Sequence, residues 1–147
     1  MESPIPIGMQ IRMVNNLISR HMDNSPINKQ LSNMTGTNAW LIAYISEETN
    51  LGRDVFQKDI EETFGVTRST VSKVVKLMEK KGLISRQKVD YDGRLKKLVL
   101  TENSNEIVSL LQEDKLQTEQ TVTRGFSEEE LQTLSSYLVR IEKNLGR

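Results

Sequence analysis

The chain has 147 residues and carries 20 basic and 20 acidic side chains, so its formal net charge is zero. A chain of this length is expected to form one domain that buries about two-thirds of its unfolded surface. Because it has no cysteine, disulfides and thiol-based oxidant sensing are excluded. Its one histidine, His21, is not part of a His–carboxylate cluster with the spacing of metal ligands. We therefore expect no enzyme activity, metal or cofactor. Neither a membrane-spanning apolar run nor a signal segment at Met1 is present, which predicts a soluble, cytoplasmic protein without a membrane partner.

Apolar residues at helical spacing predict a helix within residues 1–30. They recur at intervals of three and four at Ile7, Ile11, Val14 and Ile18. This rhythm produces an apolar seam along one side of a helix, and such seams pack against other helices. His21 continues the seam, so its expected role is that of an interface residue, with a pH switch or a ligand contact as the alternatives. Residues 39–45, which include Trp40 and Tyr44, predict a further helix.

The next segment has the pattern of a helix, a tight turn and a second helix. Gln57–Phe64 predicts the first helix, with acidic residues near its positive N-terminal end. Gly65 has no Cβ and can adopt positive φ, so the chain can reverse there within a few residues. Thr67 supplies a hydroxyl that caps the second helix, and Gly82 ends that helix.

The second helix has two contrasting faces. Its apolar face consists of Val71, Val74, Val75 and Met78, and the opposite face consists of Ser69, Lys73, Lys76 and Lys80. A charged face opposite an apolar one is ordinarily just solvated. Here Ser69 is short and stands at the helix start, with Lys73 one turn later, so the backbone can approach base edges closely. This pattern favours a DNA-contacting face.

A basic β-hairpin follows. Strands are predicted over Ile84–Val89 and residues 95–101, with residues 90–94 as the turn. Its basic residues are Arg86, Lys88, Arg94, Lys96 and Lys97. An arginine on a projecting turn can enter a narrow minor groove, which we expect of Arg94. Asp92 is then structural, either holding the Arg94 guanidinium or pairing with Arg86 across the hairpin, and the alternative is a set of solvated loop charges.

The neutral total charge hides an uneven distribution. Residues 66–97 contain ten basic and three acidic side chains, a local charge of +7, which leaves −7 for the rest of the chain. Charges are screened over about 8 Å in physiological salt, so the local patch matters more than the total. The basic part is therefore expected to attract phosphate while the acidic part stays away from DNA.

These elements, in this order, resemble the multiple-antibiotic-resistance regulator (MarR) family of bacterial transcription factors. The resemblance covers nearly the whole chain and is densest at residues 55–61, 68–70, 77–86, 92–97 and 100–101. It implies a mainly α fold with a small β-hairpin wing: a winged helix-turn-helix lobe, residues 37–101, between an N-terminal dimerisation helix, 1–30, and C-terminal dimerisation helices, 102–147. It also implies a homodimer on a pseudo-palindromic double-stranded operator, often with a small-molecule inducer.

Residue roles follow from position and charge. The expected DNA-binding residues are Gln57, Lys58, Arg68, Ser69, Thr70, Ser72, Lys73, Lys76, Arg86, Lys88, Arg94 and Lys96. By resemblance, Arg68, Ser69, Thr70 and Lys73 are the base-contacting start of the recognition helix, and Arg94 is the wing arginine. Phe56 departs from the family, because many relatives have a Ser or Thr there that caps the first helix. That cap, and a phosphate contact by its hydroxyl, are in doubt here.

The C-terminal part predicts a helix over residues 102–123 and a last helix with a second seam. That seam consists of Leu131, Leu134, Leu138, Ile141 and Leu145, and Ser127 with Glu130 forms a capping box before it. Two seams at opposite ends of the chain predict a dimer that spaces two recognition helices about 34 Å apart. The expected interface residues are Ile11, Val14, Ile18, Leu131, Leu134, Leu138 and Ile141. The alternative is that both seams pack within one protomer.

A ligand site is the least defined expectation. In relatives an inducer occupies the crevice between the dimer helices and the DNA-binding lobe, and the residues that match are Met13, Leu17, His21, Trp40 and Tyr44. The alternative is that these are ordinary core residues. The overall prediction is a dimeric transcriptional repressor released by a small aromatic or phenolic inducer. A winged-helix protein-interaction module and a constitutive DNA binder without a ligand are the alternatives.

Overall fold

The computed structural model describes residues 4–146, which form seven α-helices and one two-stranded antiparallel sheet. In chain order these are α1 (Ile7–Asp23), α2 (Pro26–Thr35), α3 (Ala39–Asn50), α4 (Gln57–Phe64), α5 (Arg68–Lys80), β1 (Ile84–Val89), β2 (Asp92–Leu100), α6 (Asn105–Val122) and α7 (Glu128–Asn144). The predicted class, mainly α with one small hairpin, is confirmed. The predicted terminal segments 1–30 and 102–147 also include residues 1–3 and 147, which lie outside the described residues.

The N-terminal segment consists of two helices, whereas the sequence predicted one. Ser25 has an extended backbone, because a residue before proline is disfavoured in the helical region. Pro26 then occupies the first position of α2, where its missing N–H costs nothing, and the Ser25 hydroxyl accepts the N–H of Asn28 at 2.9 Å. The apolar spacing gave no indication of this break, which separates α1 from α2.

The hydrophobic core lies between helices α2 to α6 and the base of the hairpin. Its buried side chains are Leu31, Leu41, Ile42, Ile45, Val55, Ile60, Val71, Val75, Met78, Leu83, Ile84, Leu98 and Ile107. Among the described residues, α1 and α7 contribute no buried side chain. The seam residues Ile11, Val14, Leu134 and Leu138 remain between 38% and 52% exposed, so the seams do not cover each other within one chain.

The helix, turn and second helix occur where the sequence predicted them. Gly65 has a φ of 62°, the left-handed conformation that glycine adopts without strain. The Thr67 hydroxyl accepts the N–H of Thr70 at 3.3 Å and so caps α5. Val71, Val75 and Met78 are buried, which confirms the packed face of this helix.

The hairpin is longer at its tip than predicted, because β2 begins at Asp92 and not at residue 95. Val89 pairs with Asp92, so only Asp90 and Tyr91 remain for the turn and Arg94 belongs to a strand. The Leu98 N–H donates to the Val55 carbonyl at 2.7 Å, which fixes the base of the hairpin to the loop before α4.

The C-terminal helices agree with their predicted positions. A single 3-10 turn, Glu102–Ser104, precedes α6, which ends at Val122. The capping box of α7 is confirmed: the Ser127 N–H donates to Glu130 Oε2 at 2.8 Å, and the Glu130 N–H donates to Ser127 Oγ at 3.1 Å. None of the described helices combines the length and apolar character needed to cross a bilayer.

Candidate nucleic-acid interface

A basic groove of about 440 Å³ lies between the beginnings of α4 and α5 and the hairpin. Six of the predicted DNA-binding residues line it: Gln57, Lys58, Arg68, Arg86, Arg94 and Lys96. Five of these six are cationic, and Glu61 is the acidic residue of the lining. Because cations crowded in a cleft raise the local concentration of anions, the groove is suited to a polyanion.

The beginning of α5 presents small hydroxyl side chains to solvent. Thr67 Oγ1 lies 3.1 Å from Ser69 Oγ and 2.9 Å from Thr70 Oγ1, so three hydroxyls cluster at the positive end of the helix. Ser69, Thr70 and Lys73 are exposed. This end of α5 is therefore narrow, polar and accessible, as a helix that enters a major groove needs to be.

The remaining predicted residues of α5 and the hairpin do not line the groove. Lys76 continues the exposed face of α5, and Lys88 is exposed on β1. Ser72 is half-buried beside the packed face, which makes it the least accessible of the predicted α5 residues.

Arg86 pairs with Glu79, so the predicted pairing of Arg86 with Asp92 is wrong. The Arg86 Nε donates to Glu79 Oε1 at 2.6 Å, and both side chains are about one-third exposed. Arg86 stands opposite Leu98 in the sheet, whereas Asp92 stands opposite Val89 at the tip. Three residues along a strand correspond to about 10 Å, which is too far for direct contact. The ion pair instead connects α5 to the hairpin.

Asp92 contacts the backbone of Arg94, not the predicted guanidinium. Its Oδ1 accepts the Arg94 N–H at 2.9 Å, the local pattern by which aspartate stabilises turns. The Arg94 side chain is exposed and lines the basic groove.

Two lysines of the hairpin lie directly opposite each other. Lys88 on β1 pairs with Lys96 on β2, and both side chains are exposed. Like charges in this position destabilise a sheet by about 0.2–1 kcal/mol. A bound polyanion would offset this repulsion, which supports an anion-binding role for the hairpin.

Some residues at this surface were missed from the sequence. Phe56, Glu61 and Leu95 line the groove. Tyr91 is 69% exposed at the two-residue turn of the hairpin. Tyr91 could have been recognised in the sequence as an aromatic residue within a turn that is otherwise rich in Asp and Gly.

The five predicted ligand residues are divided between an aromatic cluster and exposed positions of α1. Trp40 and Tyr44 pack against Phe64, with ring centroids 4.7 and 5.3 Å from that ring. Met13 and Leu17 are 50% and 62% exposed, and His21 is exposed. None of the five lines the basic groove or the cavity between α3 and α6. Among residues 4–146, no group of three or more His, Asp or Glu side chains is placed to hold a metal ion.

One ion pair outside the groove changes the pKa of its partners. The Arg53 guanidinium donates to both carboxylate oxygens of Glu48, at 2.6 and 2.9 Å. This hydrogen bonding lowers the pKa of Glu48 and raises the pKa of Arg53. The pair fixes the end of α3 to the loop that precedes α4.

Comparison with known proteins agrees with this geometry. The sequence model of the MarR family matches residues 32–95. The uncharacterised HTH-type transcriptional regulator YybA of Bacillus subtilis is 29% identical over 93 residues, which are 63% of this chain and 62% of that protein. The chain thus matches less than two-thirds of the length of this curated relative.

Solved structures share the fold over almost the whole chain. A MarR-like transcriptional regulator from Thermotoga maritima is 27% identical, covers 98% of this chain and 99% of its own, and superposes with a TM-score of 0.69. MepR from S. aureus, in a complex with DNA, is 22% identical, covers 95% of this chain and 96% of its own, and has a TM-score of 0.72. The family match, the relatives and the winged-helix architecture agree: the chain is similar to the MarR family of transcriptional regulators.

Proposed function

We propose that this chain is a sequence-specific regulator that binds double-stranded DNA as a homodimer in the cytoplasm and has no enzyme activity. The observation that carries the proposal is the basic groove, in which five cationic side chains from α4, α5 and the hairpin converge. MepR, which has the same fold, forms a complex with DNA. The phosphate backbone supplies much of the affinity in such complexes, so converging cations are the expected footprint.

In the proposed complex, α5 enters the major groove and the hairpin lies along the minor groove. The major groove is about 12 Å wide and admits a helix. Ser69, Thr70 and Lys73 then reach base edges, while Lys58, Lys76 and Lys96 contact phosphates. Arg94 enters the minor groove, where a narrow A·T-rich segment has enhanced negative potential.

A dimer is proposed because single chains leave both seams exposed. Leu134 and Leu138 on α7 are 44% and 42% exposed, and Val14 on α1 is 52% exposed. Pairing these faces between two copies would bury them and place two recognition helices on one side of the duplex, about 34 Å apart. The operator would then be pseudo-palindromic.

Repression with release by a small molecule completes the proposal. A dimer on an operator occludes polymerase, and a ligand can reverse this only if it binds the two conformations with different affinity. Moving the balance from 99:1 to 1:99 requires about 5.5 kcal/mol of differential binding. A constitutive binder would show no such response.

The test is the salt dependence of DNA affinity, measured by fluorescence anisotropy on duplexes selected from a random pool with the purified protein. A dimer that neutralises roughly six to ten phosphates should give a log–log slope of about −5 to −9. A slope near zero would contradict DNA binding and favour the alternative, a winged-helix protein-interaction module. The half-site spacing of the selected duplexes also reports the dimer geometry.

A further inference from the structure

A second cavity, of about 400 Å³, lies between α3 and α6 at the end of α1. Its volume is within the range of small-molecule sites, about 300–1,000 Å³. Met22, Ala43, Val108 and Leu111 provide an apolar wall. This wall could hold the hydrocarbon part of a ligand.

The polar lining of the cavity is acidic. Glu47, Asp114 and Glu119 carry three carboxylates, against the single ammonium group of Lys115. Lys115 lies 3.6 Å from Glu47, but their side chains are 80% and 65% exposed, so this ion pair is weak.

The helix ends at the cavity add to its negative potential. Met22 and Asn50 line the cavity, and they stand at the C-terminal ends of α1 and α3. Such ends carry a partial negative charge that favours cations. The last turn of α3 nevertheless contains Glu47 and Glu48 and no basic residue. Arg53 pairs with Glu48, whereas Glu47 faces the cavity. Carboxylates at the negative end of a helix are electrostatically unfavourable, and unfavourable placements of this kind are found at functional sites.

Asp114 is the buried member of the acidic set. It is 7% exposed, and its Oδ1 accepts the Ser25 hydroxyl at 2.8 Å. Ser25 also caps α2, at the break between α1 and α2. The cavity wall is therefore connected to the junction between an exposed seam helix and the DNA-binding lobe.

We propose that this cavity binds an amphipathic organic cation, with its hydrocarbon body on the apolar wall and its ammonium group among the carboxylates. A phenolic acid, the inducer class expected from the sequence, would meet a net negative lining there. Binding near Asp114 would compete with the Ser25 hydroxyl and alter the α1–α2 junction. Release of DNA through a change at this junction rests on the proposed function, whereas binding of the cation does not.

The experiment compares two ligands that share a body and differ in charge: 4-phenylbutylammonium and 4-phenylbutyrate. Isothermal titration calorimetry of the full chain at pH 7, without DNA, should show saturable binding of the cation, at one per chain. The anion should bind about tenfold more weakly or not at all. Equal or tighter binding of the anion would overturn the proposal.

Variants locate the site. Glu47→Gln and Glu119→Gln should each weaken binding of the cation about two- to fivefold, as expected for partly exposed charge contacts. Glu106→Gln removes an exposed carboxylate from α6 outside the cavity, and it should leave binding unchanged. An equal loss of cation affinity in all three variants would show that the cation is attracted by the total charge of the chain, and it would contradict the proposed site.

Two further outcomes separate this proposal from the proposed function. A folded dimer that fails to bind the cation would show that the cavity is covered by the second copy, and the proposal would fall. If the cation binds but the chain has no affinity for any duplex, the cavity proposal holds and the proposed function fails.

Discussion

The basic groove and the acidic cavity are of similar size but opposite charge. The groove holds five cationic side chains and one carboxylate, whereas the cavity holds three carboxylates and one ammonium group. A formally neutral chain thus separates its charges into two surfaces that select opposite partners. Total charge describes solubility poorly in such a molecule and describes binding even less, because each surface acts within about 8 Å.

The two surfaces also differ in their relation to the second copy. In the proposed complex, the basic groove of one chain contacts only half of a pseudo-palindromic operator, so its affinity depends on the seams of α1 and α7. The proposed binding of a cation in the acidic cavity, in contrast, requires no residue of the second copy. This difference leads to the largest expected effect.

Leu138→Glu should disrupt the dimer and reduce DNA affinity by about 100-fold or more, because the two grooves would no longer bind as a linked pair. The same variant should retain binding of the cation to the acidic cavity. Light scattering, DNA anisotropy and calorimetry measure the three properties. Gln132→Glu adds the same charge to an exposed position of α7 outside the seam, and it should remain dimeric. A Leu138→Glu dimer with full DNA affinity would show that this seam is not the interface.

On the proposed DNA-binding surface, Arg94 in the basic groove and Lys76 outside it should separate specific from general contacts. Arg94→Ala should weaken operator binding by about 1–3 kcal/mol and relax the preference for an A·T-rich flank. Lys76→Ala should weaken all duplexes alike and reduce the salt slope by about 1. Anisotropy on operator and scrambled duplexes makes the distinction. Identical losses on both duplexes for both variants would contradict the assigned roles.

The DNA-binding lobe could be predicted well because its signals are local. Gly65, Thr67 and the valine spacing of α5 specify a turn, a cap and a packed face within a few residues, and the structure has each of them. Six of the predicted DNA-binding residues also line the basic groove, including all five of its cations.

The errors concern contacts between distant residues. Arg86 was predicted to pair with Asp92, but the strand register places Asp92 at the tip of the hairpin, and Arg86 instead contacts Glu79 on α5. The acidic cavity was missed for the same reason, since Glu47 and Glu119 are 72 positions apart and meet only when α3 packs beside α6. Trp40 and Tyr44 were predicted to line a ligand site, and in the structure they pack against Phe64.

Glu79→Gln tests how the basic groove is held in shape, with a smaller expected effect. Loss of the partly exposed pair with Arg86 should cost about 1 kcal/mol or less, a decrease in Tm of about 2–4 °C. Non-specific DNA affinity should rise slightly, because one negative charge leaves the lobe. Glu62→Gln removes a carboxylate from a more exposed pair with Lys58, and it should raise non-specific affinity without changing Tm. If both variants have the same Tm, the Glu79–Arg86 pair does not stabilise the hairpin.

The smallest effect concerns Glu48, the acidic neighbour of Glu47 that is already paired. Because the Arg53 hydrogen bonds lower its pKa from 4.5, the ionised form is favoured in the folded chain. The resulting stability is present above pH 4.5 and is lost as the pH falls through the lowered value. Arg53→Gln should therefore have a slightly lower Tm than the wild type at pH 7, and the difference should decrease as the pH falls below 4.5. Arg124→Gln, an exposed arginine outside this pair, is the control for general loss of charge. A Tm difference that persists unchanged at pH 3 would show that Arg53 acts through packing and not through the Glu48 carboxylate.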